Sequence, residues 1–396
     1  MSQRRSRIPE LDGFRVLLVF IVSWYHIWQQ SWWTPRIGNV SLDFLVRSGY
    51  MPVDGTILLS GFLLFLPYAR HMLNGEPYPS WKDFYRRRIA RIVPAYYAFL
   101  LLMLLAVALP WNLYPSQSFL LRDILSHLTF TFTFRVDTYM STPLGVACWT
   151  LAIEMQAYLL FPLIARWAVK KPSVTFPVMI LLSWGWRYAC IQLLSDYAMV
   201  VNQLPSFIDV YALGMMAALV YVKLSKISLK GWKSLLFQLG ATIVLALCLW
   251  GTYLLVKAQA NSANYAAIQS GQMIRRFPYA LLLAGIMLAL PFTLRPIRFL
   301  MGNRVMGFLA GISMNYYLLH QVVAVHLKRL GIPASVAENP NQAGEMPWQM
   351  EYTYLTFGLS VLLAILLTYL VEKPCAKLIL GKKRKAPTPE KAQDLP

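Results

Sequence analysis

Residues 14–28 read FRVLLVFIVSWYHIW, an apolar stretch interrupted by Arg15 and by His26. If the stretch is a membrane helix, the separation of eleven residues between these two side chains corresponds to about 16 Å along its axis. Arg15 then lies near one membrane interface and His26 lies well inside the membrane. Ionisable side chains at that depth are costly, so they usually face a cavity or a partner and indicate function. The stretch therefore predicts a membrane-spanning fold and the place where chemistry occurs.

The composition of the whole chain supports a membrane protein. Of its 396 residues, 57% are hydrophobic and 14% are charged, which is too apolar for a soluble globular protein. Ten segments are long enough to cross a bilayer, for which about twenty residues are needed. Their apolar runs are continuous rather than alternating, so they predict helices and not β-barrel strands. We place the helices at 13–32, 51–69, 92–110, 147–168, 174–195, 204–222, 234–256, 276–294, 305–327 and 354–374.

The distribution of basic residues predicts the orientation of these helices. With the N-terminus in the cytoplasm, 26 of the 37 lysine and arginine residues lie at cytoplasmic ends and loops and nine lie on the opposite side. This asymmetry is the one that the positive-inside rule describes, and it predicts that both termini are cytoplasmic. The bases are scattered over short loops, which argues against nucleic-acid binding. We expect one membrane domain over 1–375 and a basic, disordered cytoplasmic tail over 376–396.

A cluster of arginines precedes the third predicted helix, in the segment FYRRRIARIVPAYY. Arg87 and Arg91 are four residues apart, and Arg88 and Arg91 are three apart, so the three share one helix face. Guanidinium groups bind phosphate in bidentate fashion, and such a face suits a polyphosphate such as the 3′-phospho-ADP part of coenzyme A. The same residues could instead be topology signals that contact anionic lipid headgroups.

A carboxylate lies inside the fourth predicted helix, in ACWTLAIEMQAYLLFP. Glu154 needs a partner in an apolar environment, and the candidates are His26, Arg187 or a tyrosine hydroxyl. If Glu154 pairs with His26, it sets the tautomer of the imidazole and stabilises its protonated form. A polar contact between packed helices is the alternative. His320, near the middle of a later helix, is structural on its pattern alone.

Six motifs in this chain resemble those of the membrane-bound acyltransferase family 3, typified by bacterial O-acetyltransferases that modify surface polysaccharides. Two of them depart from the family pattern, because Gly55, Thr56 and Ile57 replace aromatic residues and Thr150 replaces a serine. In chain order the six motifs are LDGFR with His26, VDGTILLSGFLLF (Val53, Asp54, Ser60, Gly61, Phe62), FYRRRIARIVPAYY (Arg87, Arg88, Arg91, Pro94, Tyr96), WTLAIEMQAYLLFP, GISMNYYLLH (Ser313, Tyr317, His320) and VEKP (Glu372, Pro374).

The resemblance implies transfer of an acyl group, most often acetyl, from cytoplasmic acyl-CoA to a hydroxyl group. It also implies that His26 and Arg15 are essential and that the arginine cluster binds the donor. We expect His26 to act as general base, with a covalent acyl-imidazole as the variant, and Glu154 to support its protonated form. Asp12 is expected to orient Arg15. The remaining expected supporting residues are Asp54, Trp149, Tyr158, Tyr317 and His320, of which Trp149, Tyr158 and Tyr317 are the candidate donors to the thioester oxyanion.

The expected partners are the lipid bilayer, acyl-CoA and an acceptor that is a carbohydrate or another cell-surface or lipid-linked molecule. No metal and no permanently bound cofactor is expected. About twenty residues follow the last predicted helix, so we expect no fused extracytoplasmic esterase-like domain, and the acyl group goes directly to the acceptor or to a separate extracytoplasmic protein. The expected location is the bacterial inner membrane. The competing interpretation is a proton-coupled transporter or flippase in which Arg15, His26 and Glu154 form a relay.

Overall fold

Helices form almost all of the computed structural model, which describes residues 7–381. The strands within these residues pair as one antiparallel hairpin, with Arg36 opposite Ser41 and Ile37 opposite Val40. In chain order the elements are α1 (Glu10–Ser31), β1 (Arg36–Ile37), β2 (Val40–Ser41), α2 (Asp43–Arg47), α3 (Val53–Asn74), α4 (Trp81–Met103), a π-helical turn (Leu104–Ala108), α5 (Gln117–Leu128), a 3₁₀ turn (Phe132–Phe134), α6 (Val136–Met140), a 3₁₀ turn (Val146–Cys148), α7 (Trp149–Lys170), α8 (Pro172–Leu193), a 3₁₀ turn (Leu204–Phe207), α9 (Ile208–Leu224), α10 (Gly231–Ala260), α11 (Tyr265–Ala289), a 3₁₀ turn (Leu290–Phe292), α12 (Arg295–Gly302), α13 (Arg304–Arg329), α14 (Met346–Leu367), a π-helical turn (Thr368–Glu372) and α15 (Lys373–Leu380).

The predicted all-α membrane fold is confirmed. Over residues 7–381, nine helices are long and apolar enough to cross a membrane. The tenth predicted segment, 147–168, is the 22-residue helix α7, which is not one of the nine. The polar side chains of Glu154, Gln156 and Arg166 interrupt its apolar sequence. The protein is therefore a multi-pass membrane protein, and α7 carries one of the candidate site residues.

Two helical runs extend beyond their predicted ends. The run that begins with α4 starts at Trp81, before the predicted start at 92, and the run that begins with α14 continues through α15 to Leu380, past the predicted end at 374. The predicted disordered tail began at 376, but residues 376–380 belong to α15. The rest of that predicted tail, at 382–396, lies outside the described residues. The cytoplasmic location of both termini stays a prediction.

Glycines bring α3 and α9 into close backbone contact. A Cβ atom at Gly61 would lie 2.7 Å from the carbonyl oxygen of Tyr211, and a Cβ atom at Gly214 would overlap the carbonyl oxygen of Leu58. Membrane helices gain most of their association from such close packing, because lipid is as apolar as their own side chains. The contact holds α3, which carries Ser60, firmly inside the bundle.

The segment between α4 and α7 folds back into the bundle. The Tyr97 hydroxyl donates to the carbonyl oxygen of Leu128 (2.7 Å), and the Tyr96 hydroxyl donates to that of His127 (3.4 Å). Tyr97 lies eleven residues before Ala108, which corresponds to about 16 Å of helix. The C-terminal end of α5 therefore lies at the depth of the middle of α4 and not at its outer end.

A buried polar cluster stabilises this re-entrant segment. The Asp123 carboxylate lies 3.2 Å from His127 Nδ1 and accepts hydrogen bonds of 2.8 Å from Tyr114 and from Thr142. Both Asp123 and His127 are fully buried. Irregular backbone at membrane depth is tolerated only where protein covers it and its polar groups are satisfied. Thr142 supplies one such partner, since its Oγ1 accepts a hydrogen bond from the Leu144 amide (3.0 Å).

Candidate active site

A cavity of about 180 Å³ lies between α1, α3, α4, α7 and α13. These helices carry five of the six motifs that the sequence singled out. A single water molecule needs only about 10–15 Å³ of such space, so the cavity has room for part of a substrate. Its polar wall consists of Arg15, Thr56, Ser60, Arg88, Arg91, Thr150, Glu154, Tyr158, Ser313 and Tyr317.

Three guanidinium groups line one end of the cavity. Arg15 lies five residues after the start of α1, and Arg88 and Arg91 lie within the first eleven residues of α4. The guanidinium of Arg88 lies 5.5 Å from the ring centre of Tyr158, a cation–π distance. Among the described residues, nothing accepts a hydrogen bond from the buried Nε of Arg88. This nitrogen is available to an anionic ligand.

Arg87 occupies a different place from the other two arginines of its cluster. It lines an adjoining cavity, and its Nε donates to the carbonyl oxygen of Asp83 (3.1 Å). Arg88 and Arg91 therefore line the main cavity and Arg87 lines the adjoining one, and the expected role of the three in binding the donor stays a prediction. Because Arg88 lines both cavities, it connects Arg87 to the main site.

Glu154 has a tyrosine hydroxyl as its partner. The Tyr158 hydroxyl donates to Glu154 Oε2 (2.8 Å) one turn along α7, and it lies 3.2 Å from Ser60 Oγ. The predicted alternative partners, His26 and Arg187, are wrong, because both have other contacts. Glu154 also lies within electrostatic range of all three cavity arginines. The negative charge of Glu154 offsets one of the three positive charges of these arginines, so the cavity has an excess of positive charge.

His26 is oriented by glutamines and not by the predicted carboxylate. Its Nδ1 lies 3.2 Å from Gln29 Oε1 and 3.4 Å from Gln321 Nε2. The amide nitrogen of Gln29 donates to the Tyr25 hydroxyl (2.9 Å), which turns its oxygen toward His26. Because Nδ1 cannot both donate to Gln29 and accept from Gln321, we assign Nδ1–H as the donor in the shorter contact, which leaves Gln321 as a packing neighbour and the lone pair on Nε2. A histidine in this tautomer can accept a proton at Nε2.

His26 lies beyond the end of the cavity, along the same helix faces. Arg15, Val19 and His26 are separated by four and seven residues, so they lie on one side of α1. On α13, Tyr317 lines the cavity, and Gln321, one turn further, contacts His26. His26 is therefore about one helical turn, ~5 Å, beyond the Tyr317 end of the cavity.

His320 forms a second histidine beside the first. Its ring centre lies 5.2 Å from that of His26, its Nδ1 lies 2.7 Å from the carbonyl oxygen of Tyr317, and the side chain is fully buried. Over the described part of the chain, its Nε2 has no hydrogen-bond partner. His320 thus packs directly against His26, and the supporting role that the motif resemblance implies for it stays a prediction.

Three expected supporting residues lie outside the cavity. Asp12 forms an ion pair with Arg7 (2.7 Å) and also lies within electrostatic range of Arg15, so its expected role of orienting Arg15 stays a prediction. The Asp54 carboxylate lies 3.3 Å from the fully buried Arg276. The ring of Trp149 stacks at 6.0 Å on Phe207, so it is turned away from the cavity and is no candidate oxyanion donor.

A buried ion pair joins α8 to α9. Arg187 donates to both carboxylate oxygens of Asp209, at 3.0 and 2.5 Å, and to the carbonyl oxygen of Ser206 (2.8 Å). Asp209 is fully buried, and Arg276 lies over the ring of Phe207 at 3.9 Å. The presence of charged residues inside predicted apolar spans could have indicated these buried ion pairs, but the sequence did not show which residues pair with each other.

The motif near the C-terminal end of the described chain binds to the motif that carries His320. Asn315 Nδ2 donates to Glu372 Oε2 (2.6 Å) and to Thr368 Oγ1 (2.7 Å). Asn315 is fully buried and lies two residues after Ser313, which lines the cavity. Glu372 therefore fixes the face of α13 that forms the site. Sequence reasoning missed Asn315, Gln29 and Gln321; only Gln29, three residues from His26, had a helical spacing that could have indicated a contact.

The fold and the site define a multi-pass membrane protein with an arginine-lined cavity that leads toward a histidine. The chain belongs to the acyltransferase domain family, acyltransferase family 3, whose model matches residues 8–371. This confirms the resemblance seen in the motifs. It favours the acyltransferase interpretation over the transporter.

Several curated relatives are similar to part of the chain. O-acetyltransferase OatA of Staphylococcus aureus is 26% identical over 178 residues, which are 41% of this chain and 26% of that protein. Peptidoglycan O-acetyltransferase OatA of Listeria monocytogenes is 26% identical over 196 residues, 46% of this chain and 29% of that protein. Acyltransferase MdmB of Streptomyces mycarofaciens is 28% identical over 181 residues, 43% of each chain. The match thus spans less than half the length of each relative. No solved structure gives a significant match.

Proposed function

We propose that this protein transfers an acyl group, most often acetyl, from cytoplasmic acyl-CoA to a hydroxyl of a carbohydrate or another cell-surface or lipid-linked acceptor. The observation that carries the proposal is the cavity that holds Arg15, Arg88 and Arg91 at one end and points toward His26 at the other. Membership of the acyltransferase domain family and the names of the O-acetyltransferase relatives support the reaction class.

The donor binds through its phosphates to the arginine end. Three guanidinium groups face one carboxylate, Glu154, so the site attracts a polyanion, and Arg88 offers a free Nε. The thioester arm then runs along the cavity. Arg15 and His26 are about 16 Å apart along α1, which is comparable to an extended pantetheine arm. The acyl group therefore reaches the level of His26.

The chemical step uses His26 as general base. Its Nε2 takes the proton of the acceptor hydroxyl as the hydroxyl oxygen attacks the thioester carbonyl carbon. The C–S bond of the tetrahedral intermediate then breaks, and the imidazolium returns the proton to the coenzyme A thiolate. Such base catalysis contributes typically about 10²–10⁴-fold. Gln29 holds the tautomer that leaves Nε2 free.

Of the two remaining candidate oxyanion donors, Tyr158 and Tyr317, Tyr317 is the better one. The hydroxyl hydrogen of Tyr158 is already directed to Glu154. Tyr317 lines the cavity at the end nearest to His26. A donor at that position stabilises the charge that develops on the thioester oxygen. Glu154, in this arrangement, orients Tyr158 beside the donor and has no direct contact with the base.

We further propose that the protein lies in the bacterial inner membrane with the arginine end toward the cytoplasm, as the distribution of basic residues predicts. The contact of His26 with Gln29 is exposed at the other end of α1. An acceptor can therefore approach His26 from the outer side while the donor approaches from the inner side. Direct acylation and transfer through a separate extracytoplasmic protein both use this arrangement.

The test is acyl transfer in membranes that contain the protein, His26→Ala or the control His326→Ala. His326 lies on the same helix as Gln321 but stacks on Trp111, outside the site. With labelled acetyl-CoA, we expect label in a polysaccharide, lipid-linked sugar or small-molecule fraction with the wild type and the control, and its loss with His26→Ala. Equal label with His26→Ala would refute the role of His26. No transfer from any acyl-CoA by the wild type would refute the proposed function.

A further inference from the structure

A second cavity, of about 110 Å³, lies between the end of α3 and the start of α4. It shares Leu63, Leu64 and Arg88 with the main cavity, so the two spaces adjoin. It lies at the arginine end of the site, away from His26. Its remaining wall is made of Pro67, Tyr68, Pro79, Ser80, Phe84 and Arg87.

Two aromatic rings, those of Tyr68 and Phe84, form part of this wall. The ring of Phe84 stacks on Phe161 at 5.3 Å, and the ring of Tyr68 packs against Phe161 at 5.8 Å and against Tyr78 at 5.3 Å. Tyr68 and Phe84 are both buried. Because neighbouring rings fix each of them, the cavity keeps its shape without a ligand. A preformed flat apolar space suits a planar aromatic ring.

Positive charge lies at the junction between this space and the main cavity. The guanidinium of Arg88 lies 5.7 Å from the ring centre of Phe84, and Arg87 lines the same cavity. Asp83 offsets part of the charge of Arg87, since their side chains lie 3.6 Å apart. Arg88 has its buried Nε free toward a ligand. The cavity thus combines an aromatic wall with adjacent phosphate-binding groups.

We propose that the second cavity binds the adenine ring of the acyl-CoA donor against Tyr68 and Phe84, with the phosphates on Arg87 and Arg88. This inference rests on the proposed function and names the part of the site that recognises the nucleotide. The donor then extends across both cavities, with its adenine ring in the second cavity, its phosphates at the junction and its thioester arm in the main cavity. The nucleotide contributes binding at a distance from the reacting carbonyl.

The test compares acetyl-CoA with S-acetyl-4′-phosphopantetheine, which lacks the nucleotide, on the wild type and on Phe84→Leu. Alanine substitution of an aromatic residue that stacks on a base weakens binding by roughly 5- to 100-fold. We expect Phe84→Leu to raise the KM for acetyl-CoA by about tenfold and to leave kcat unchanged. The KM for the truncated donor should stay the same. Tyr85→Leu is the matched control, because Tyr85 is the next residue of α4 and bonds to the carbonyl oxygen of Leu159 instead.

Two results would overturn the adenine site. One is an equal effect of Phe84→Leu on both donors, and the other is the same KM for both donors with the wild type. The second result needs no variant, so it stands even if Phe84→Leu does not fold. Pro79→Ala, at a loop position before α4, gives a further check on the wall, with the same expected selectivity for acetyl-CoA. If the wild type transfers from neither donor, the proposed function itself fails.

Discussion

Replacing Gln29 by methionine tests how the histidine is held in its reactive form. Methionine is about as long as glutamine but cannot accept the hydrogen bond from His26 Nδ1, which spans 3.2 Å. A typical hydrogen bond contributes about 0.5–1.5 kcal/mol, which corresponds to a change of roughly 2- to 12-fold in the population of the reactive tautomer. We therefore expect kcat to fall by about that factor. The loss is far smaller than the roughly 10²–10⁴-fold expected when the base itself is removed.

The assay is transfer of labelled acetyl from acetyl-CoA in membranes, with kcat and KM measured separately. The KM for acetyl-CoA should not change, because Gln29 lies beyond the cavity that holds the donor. Gln30→Met is the control, since Gln30 contacts Lys328 through its backbone oxygen. A loss as large as that of His26→Ala, or no loss at all, would refute the assigned role of Gln29. A raised KM without a change in kcat would place Gln29 in substrate binding.

Three further outcomes follow from the geometry. Arg88→Ala should raise the KM for acetyl-CoA by about 10- to 100-fold, the value of a charge-assisted hydrogen bond, and an unchanged KM would remove Arg88 from the donor site. Arg187→Met should lower the free energy of unfolding in detergent by about 3–5 kcal/mol, because it leaves Asp209 buried without its partner. The double variant Arg187→Met with Asp209→Leu should recover most of that loss. Equal instability of the single and double variants would contradict this explanation. Gly214→Leu should give no folded protein on size-exclusion chromatography, because α9 has no space for a side chain against α3.

The fold class could be read from the sequence because membrane helices are decided locally. Twenty apolar residues in a row must form a helix if they are to satisfy their backbone in lipid. The helix boundaries differ most from the predicted ones at the starts of α4 and α11, where each helix begins before the apolar segment. α7 shows the limit of such reading, because polar residues such as Glu154 and Gln156 weaken its apolar signal.

The site was only partly predictable, for a different reason. Arg15, Arg88, Arg91, Glu154 and Tyr317 stood out because each is a polar residue, or lies in a polar motif, within an apolar span, and the structure brings all five to one cavity. Their partners could not be predicted in the same way. A carboxylate and a histidine on different helices suggested a pair, yet each found a nearer partner on its own helix.

By itself, the sequence determined that this chain is an α-helical membrane protein of the acyltransferase domain family, because apolar length and motif order are properties of one stretch at a time. The tertiary structure alone decided which side chains meet. It placed Arg88 in both cavities and its sequence neighbour Arg87 in the second cavity alone. It joined Asn315 to Glu372 across 57 residues and His26 to Gln321 across 295. Contacts between helices depend on the rotation and depth of each helix in the bundle, and these are set by packing with every neighbour together.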